Sequence, residues 1–168
     1  MFRGHKVDTA AEYIHRYAAV ITFPPEQMQE SLGSVDLWIN NAGTNSYMFK
    51  TLIETAESDL AEIVDTNVLG VMLCCQAAIK AMRQQSSGGH IFNMDGAGAD
   101  GNATPRFAAY GATKRSLVQF QKSLIAEMAM AGINNVGIHN LSPGVLWYTP
   151  TVALYQSLFA TDWASWRQ

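Results

Sequence analysis

Two residues with the spacing and chemistry for proton transfer, Tyr110 and Lys114, lie at the ends of the segment YGATK. On an α-helix, residues four positions apart share one face, so this phenol and this ammonium would lie within one turn of each other. A nearby ammonium stabilises a phenolate and lowers the pKa of the tyrosine from about 10 toward neutrality. Such a tyrosine can exchange a proton with a carbonyl or alcohol oxygen. Taken alone, however, a Tyr-x-x-x-Lys pair on a helix is usually structural.

Length and composition narrow the class of protein. The 168 residues suffice for one domain, and the 48% hydrophobic and 15% charged residues are typical of a globular protein. A net charge of −3 disfavours nucleic-acid binding through a broad basic face. The longest apolar run, residues 68–75, is far shorter than the roughly 18 residues of a membrane span. The N-terminal residues resemble neither a signal peptide nor a transit peptide.

The cysteines and histidines do not predict a metal site. The two cysteines, Cys74 and Cys75, are adjacent, so they cannot form a disulfide framework, and two thiols alone do not make a zinc site. We expect both to face the core of a protein from a reducing compartment. His90 and His139 are lone histidines on predicted strands, to which we assign neither a catalytic nor a metal-binding role.

The hydrophobic pattern predicts alternating strands and helices. Strands are expected at residues 35–39, 90–94 and 136–141. A helix beginning at Thr55 or Ser58 runs to Met82, and a second helix covers about residues 108–131. A Gly-rich loop, residues 95–104, precedes the second helix. Connections of this length imply right-handed crossovers and a parallel sheet. We divide the chain into a poorly defined segment 1–34, a core 35–150 and a tail 151–168.

Polar and glycine-containing segments follow each predicted strand, at residues 40–43, 95–104 and 143–149. In a doubly wound sheet, ligands bind outside the carboxyl ends of the strands. The three segments are therefore expected to converge on one cleft.

Four motifs in order resemble the short-chain dehydrogenase/reductase family over roughly residues 35–150. They are NNAG at 40–43, Asn67 within the first helix, YGATK at 110–114 and SPG at 142–144. The resemblance implies an α/β fold, here an incomplete Rossmann-type doubly wound parallel sheet with helices on both faces. The segments GGHIFNMDGAG at 88–98 and GIHNLSPG at 137–144 are similar to the chlorophyll(ide) b reductases of the chloroplast. Those enzymes use NADPH to reduce the C7 formyl group of chlorophyll b to a hydroxymethyl group.

The resemblance also implies a role for individual residues. Tyr110 would donate the proton to the aldehyde oxygen, Lys114 would lower its pKa and bind the nicotinamide ribose, and Asn67 would maintain a water-linked proton relay. The adenosine side of the cofactor would be lined by Asn40, Ala42 and Gly43. The nicotinamide would be flanked by Pro143, Gly144 and Thr149. NADPH is expected in preference to NADH.

The sequence departs from the family pattern in two places. Most members carry a serine about 13 residues before the tyrosine, whereas this chain has Asp95-Gly96-Ala97-Gly98, so that Asp95, Asn102 or Thr104 would orient the substrate instead. We interpret this difference as a trait of the subfamily. The Thr-Gly-x-x-x-Gly-x-Gly turn that holds the pyrophosphate is not found before Asn40. The chain thus resembles the middle of an enzyme, from a truncated gene model or a shortened isoform.

Three interpretations follow. The first is reduction of chlorophyll(ide) b in the chloroplast, a location that rests on the resemblance alone. The second is a generic NADP-dependent carbonyl or alcohol reductase acting on another small carbonyl substrate. The third is an inactive interaction module that pairs with a complete reductase, which the missing phosphate-binding turn supports. The resemblance separately implies a homo- or hetero-oligomer with a related reductase, since family members commonly associate through the two long helices.

Overall fold

Three parallel strands form the sheet, and their carboxyl ends lie at one edge. The structure, a computed structural model, describes residues 33–46 and 49–142. The strands are β1 (Leu37–Asn40), β2 (Gly89–Met94) and β3 (Val136–Leu141), in the order β1-β2-β3. Both pairings are parallel, with Trp38 opposite Ile91 and Ile91 opposite Ile138. The predicted parallel sheet is therefore confirmed, and the bounds of β3 are those expected from the sequence.

The connection from β1 to β2 is one almost continuous helical stretch. A short 3-10 helix, Leu52–Glu54, precedes α1 (Glu57–Val64). A π-helical turn over Asp65–Gly70 then leads into α2 (Val71–Met82). The sequence pattern predicts a regular helix here and gives no sign of the π-helical turn. Such turns within α-helices are frequent at functional sites.

The connection from β2 to β3 is α3 (Ala108–Met130). Its end follows from Gly132, which has a φ of +70° and so occupies the left-handed region that suits glycine. Beyond the glycine, the Ile133 N–H donates to the carbonyl oxygen of Met128 at 2.9 Å and closes the last turn. The predicted stop at Gly132 is confirmed.

One side of the sheet, here called the covered face, packs against both long helices. Trp38, Ile91 and Ile138 point to this side and belong to a single core cluster. The helices contribute apolar side chains to the same cluster, namely Val71, Cys75, Ala78, Ile79, Met82, Leu117 and Met128. Cys75 is fully buried and Cys74 is partly buried against this cluster, as expected from the sequence.

The other side of the sheet, here called the open face, carries the alternate residues of each strand. Leu37 and Ile39 are 61% and 60% exposed, although their neighbours Trp38 and Asn40 are buried. His90 and His139 lie on the open face, where their Nδ1 and Nε2 atoms are 3.0 Å apart. The predicted fold, an incomplete Rossmann-type parallel sheet with helices, is confirmed. Within residues 33–46 and 49–142, both long helices pack on the covered face.

The helical stretch Glu57–Met82 is long and apolar enough, by length and composition, to cross a membrane. Its second half, however, contributes five residues to the core against the sheet. Packing of this kind is typical of the core helix of a folded domain, and it explains the apolar composition without a membrane.

Candidate active site

The loops after β2 and β3 meet at the carboxyl edge of the sheet, as the sequence predicts. The Asp95 N–H donates to the carbonyl oxygen of Leu141 at 3.0 Å. The Asp95 carboxylate also accepts a short hydrogen bond from the Ser142 hydroxyl. Asp95 thus joins the ends of the two strands.

Tyr110 and Lys114 lie on the first turns of α3, above the end of β2. The Lys114 ammonium is 5.5 Å from the centroid of the Tyr110 ring. It donates a 2.9 Å hydrogen bond to the carbonyl oxygen of Met94, the last residue of β2. Lys114 is only 4% exposed, so this ammonium is held in place by both packing and a charge-assisted hydrogen bond.

The pKa of Tyr110 differs from the expected direction. Burial raises the pKa of this phenol, and the nearby Asp95 carboxylate raises it further. Burial also lowers the pKa of Lys114, with Asp95 acting in the opposite direction. The predicted lowering of the tyrosine pKa by Lys114 is therefore not seen in the chain alone, because the ammonium lies over the ring and donates its hydrogen bond to Met94.

Asn67 is fully buried in the π-helical turn and joins the loop after β1 to α3. Its Oδ1 accepts a 2.8 Å hydrogen bond from the Thr44 N–H, and its Nδ2 donates to the Thr44 carbonyl oxygen at 2.8 Å. The same Nδ2 donates to Thr113 Oγ1 at 3.0 Å, and the Thr113 hydroxyl donates to the carbonyl oxygen of Tyr110. The Asn67 side chain therefore positions the Thr44 backbone relative to Thr113, and both N–H groups of its amide donate to other residues of the protein.

Gly43, in the loop after β1, lies beside the Lys114 ammonium and the Asn67 side-chain amide. A Cβ atom at this position would be 3.3 Å from the Lys114 ammonium and 3.4 Å from Asn67 Oδ1. Glycine therefore allows the backbone of the exposed loop at Ala42 and Gly43 to approach the buried ammonium closely. Since an ammonium has three donors and one binds Met94, Lys114 can donate further hydrogen bonds to a ligand at this loop.

Gly96 occupies the position next to the reactive oxygen of Tyr110. A Cβ atom at residue 96 would lie 2.8 Å from the Tyr110 hydroxyl. The structure thus identifies Gly96, within the four-residue stretch singled out in the sequence, as the residue whose side chain would point at the phenol. No hydroxyl side chain fills that place here.

The side chain of Asn40 does not line the cofactor loop. It is 8% exposed and belongs to a row of amides across the three strands, here called the asparagine ladder, formed by Asn40, Asn93 and Asn140. Asn40 accepts from the Trp38 indole at 2.8 Å and donates to Asn93 at 2.7 Å. Asn93 in turn donates to Asn140 at 3.4 Å. The predicted contact of Asn40 with the cofactor is wrong for its side chain, because strand register turns that side chain into the covered face.

Other predicted groups fall outside the site or outside the described residues. Pro143, Gly144 and Thr149 are not among the described residues, so their expected contacts stay predictions. Within residues 33–46 and 49–142, no three His, Cys, Asp or Glu side chains are grouped to hold a metal ion.

Sequence reasoning also missed several contributors, since only the fold brings them together. They are Thr44, Thr113, Gly96 and the Met94 carbonyl oxygen.

A solvent-open cleft adjoins Tyr110. Its space, open solvent included, is about 350 Å³, and its wall includes Lys50, Arg106, Phe107 and Tyr110. The arrangement places a protonated phenol at the wall of an accessible cleft, with a fixed ammonium behind it.

Comparison with known proteins agrees with this geometry. A family model described as short chain dehydrogenase matches residues 15–156. The chain is 56% identical over 128 residues to "Chlorophyll(ide) b reductase NOL, chloroplastic" of Oryza sativa subsp. japonica, covering 76% of this chain and 36% of that protein. For the protein of the same name from Arabidopsis thaliana, the identity is 60% over 118 residues, or 70% and 34% of the two chains. This chain therefore spans about a third of the length of these relatives.

Solved structures show the same fold. The structure described as "ElxO with NADP Bound" superimposes with a TM-score of 0.68 at 25% identity, covering 88% of this chain and 55% of that one.

Proposed function

The chain belongs to the short-chain dehydrogenase family, and we propose that it reduces the C7 formyl group of chlorophyll(ide) b to a hydroxymethyl group in the chloroplast, with NADPH as the reductant. The observation that carries this proposal is the position of Tyr110 at the wall of an open cleft, directly in front of the buried Lys114 ammonium. The identity to two chloroplastic chlorophyll(ide) b reductases supports the substrate and the location. Because the chain spans about a third of those relatives, the activity is proposed for the protein as a whole.

The raised pKa of Tyr110 suits a reduction. A phenol whose pKa lies above its ordinary value stays protonated at neutral pH, so it holds the proton that an aldehyde oxygen must gain. In the overall change, the formyl carbon gains a hydride and the formyl oxygen gains the proton of Tyr110, which gives the alcohol. The transfer leaves Tyr110 as a phenolate, with the Lys114 ammonium 5.5 Å from the ring centroid.

A nicotinamide dinucleotide fits the residues around the loop after β1. Gly43 brings the loop backbone close to the Lys114 ammonium, so Lys114 would bind a ribose hydroxyl and the loop backbone at Ala42 and Gly43 would lie along the cofactor. When bound, this cofactor supplies the hydride. The NADP in the related ElxO structure supports the choice of NADPH over NADH.

Asp95 is proposed as a positioning residue rather than a direct ligand of the substrate oxygen. A carboxylate has no proton to donate to a carbonyl oxygen, and this one accepts a hydrogen bond from Ser142. By joining the ends of β2 and β3, Asp95 fixes the loop that carries Gly96. Tyr110 is then the hydroxyl donor that meets the substrate oxygen.

The test is reduction of chlorophyllide b by the purified chain with NADPH, with the hydroxymethyl product measured by chromatography. We expect Tyr110→Phe to lower kcat about 100-fold or more, since general acid catalysis contributes about 10²–10⁴. Lys114→Met should also reduce turnover strongly, whereas Lys122→Met, at an exposed lysine two turns further along α3, serves as the matched control. Full activity of the Tyr110→Phe variant would contradict the assignment.

A further inference from the structure

Two cations line the cleft beside Tyr110 and have no carboxylate partner of their own among the described residues. Lys50 and Arg106 both contribute to its wall, and neither forms an ion pair within residues 33–46 and 49–142. Glu54 is an acidic group whose pKa is affected by the charges of these two cations. Its pKa is lowered mainly by hydrogen bonds from Thr51, and only to a lesser extent by the charges of Arg106 and Lys50.

Thr51 therefore holds the Glu54 carboxylate, through its N–H at 3.0 Å and its hydroxyl. Glu54 keeps its negative charge and offsets one of the two cations, so the pair Lys50 and Arg106 leaves an excess of one positive charge at the cleft. A cleft lined in this way attracts anionic groups.

The Arg106 guanidinium is fixed above an aromatic ring. Its central carbon lies 4.9 Å from the centroid of the Phe49 ring, and Phe49 in turn packs against Phe107 with the ring centroids 4.9 Å apart. Stacking over a ring leaves the edge of the guanidinium, with its N–H groups, available to a ligand. Phe107, which lies in the wall of the cleft, offers an apolar ring to a flat molecule.

The backbone of Arg106 supports a ligand-binding role. Its φ is +63°, in the left-handed region that residues other than glycine, asparagine and aspartate seldom adopt. Such conformations are unfavourable by about 1–3 kcal/mol and cluster at ligand-binding positions. Arg106 is exposed to solvent and lies in the wall of the cleft.

We propose that Lys50 and Arg106 form a carboxylate-binding subsite, so that the preferred substrate is a flat, apolar carbonyl compound that carries a free carboxylate. The inference rests on the proposed function, which it deepens: chlorophyllide b, the free acid, binds more tightly than a pigment whose carboxylate is esterified. Phe107 contacts the flat face, and the two cations bind the carboxylate while the formyl group faces Tyr110.

The test measures binding of chlorophyllide b and of its methyl ester to the full chain, by pigment fluorescence at low salt. We expect the acid to bind about tenfold more tightly than the ester, because a guanidinium–carboxylate pair is a strong charge-assisted contact. The preference should decline with added salt, as expected for exposed charges. Equal affinity for acid and ester would overturn the proposal.

Variants identify the residues responsible. Arg106→Gly removes the guanidinium and accepts the positive φ, and Lys50→Gln removes the ammonium. Each should weaken binding of the acid several-fold and leave the ester unchanged, while Arg106→Lys retains part of the preference. Arg83→Gln and Lys122→Gln, at exposed cations distant in sequence from the cleft residues, are the matched controls. A preference for the acid that survives in the double variant Lys50→Gln/Arg106→Gly would contradict the assignment.

A third measurement separates the substrate carboxylate from a phosphate of the cofactor. Binding of NADPH to the Lys50 and Arg106 variants should equal that of the wild-type chain. A parallel loss of NADPH affinity would overturn the proposal, since the anion would then be the phosphate. If the chain prefers the acid but reduces no formyl group, the proposed function fails and the subsite stands. If it reduces the formyl group but binds the acid and the ester with equal affinity, the proposed function stands and the subsite fails.

Discussion

The covered and open faces of the sheet differ sharply although they are made by the same strands. Ile91 on the covered face is fully buried, whereas Ile39 on the open face of the neighbouring strand is 60% exposed. The covered face carries the helices, the asparagine ladder and, at its carboxyl edge, the site around Tyr110. Within the part of the chain that the structure describes, the side chains that position the site therefore come from helices packed on one side of the sheet.

The buried thiol of Cys75 provides the largest expected contrast. Burial raises its pKa to about 12, from an ordinary value of 9.0. At pH 8 the thiolate is the reactive form, so alkylation should be about a thousandfold slower in the folded chain than in denaturant. The experiment uses a Cys74→Ser background, so that one thiol is followed by mass spectrometry. Equal rates with and without denaturant would show that the covered face opens readily.

A matched pair of truncations sharpens the comparison in free energy. Ile91→Ala removes fully buried atoms and should lower the free energy of unfolding by about 2–5 kcal/mol. The same change at Ile39, which is 60% exposed, should alter it by less than about 1 kcal/mol. Urea denaturation at constant m-value measures both. Similar losses at the two positions would mean that the open face is buried in solution.

The asparagine ladder gives a smaller effect on the covered face. Asn93→Ala removes the acceptor of Asn40 Nδ2 and the donor to Asn140 Oδ1. We expect the free energy of unfolding to fall by about 1–3 kcal/mol. Asn134→Ala, at an exposed position before β3, is the control and should be nearly neutral. A double-mutant cycle between Asn40 and Asn93 should show a coupling of about 0.5–3 kcal/mol. Strict additivity of the two substitutions would argue against the hydrogen bond.

The elements of the fold were predictable because hydrophobic periodicity reports secondary structure directly. The parallel pairing of the strands and the position of Tyr110 and Lys114 on α3 follow from that pattern and from the crossover rule. Which layers cover the sheet is a different matter. Leu37 and Ile39 are as apolar as their buried neighbour Trp38, so the sequence of β1 gives no indication that one face is open.

The site was predictable in its residues but less so in its electrostatics. Spacing brings Tyr110 and Lys114 together, yet the direction of the phenol pKa depends on burial and on Asp95, which reaches this point from another loop. The position of the Asn40 side chain was likewise not predictable from its motif. Its place in the NNAG motif suggests a loop residue, whereas strand register buries its amide beside Asn93.

The asparagine ladder also bears on how the strands find their alignment. A slip of β1 by one residue would turn the Asn40 amide to the open face, and a slip by two would set it against an apolar neighbour on the covered face. In either misalignment the buried Asn93 Oδ1 loses the hydrogen bond from Asn40, which is unfavourable by about 1–3 kcal/mol. The ladder therefore favours the native register of β1, on which the position of the loop at Ala42 and Gly43 depends.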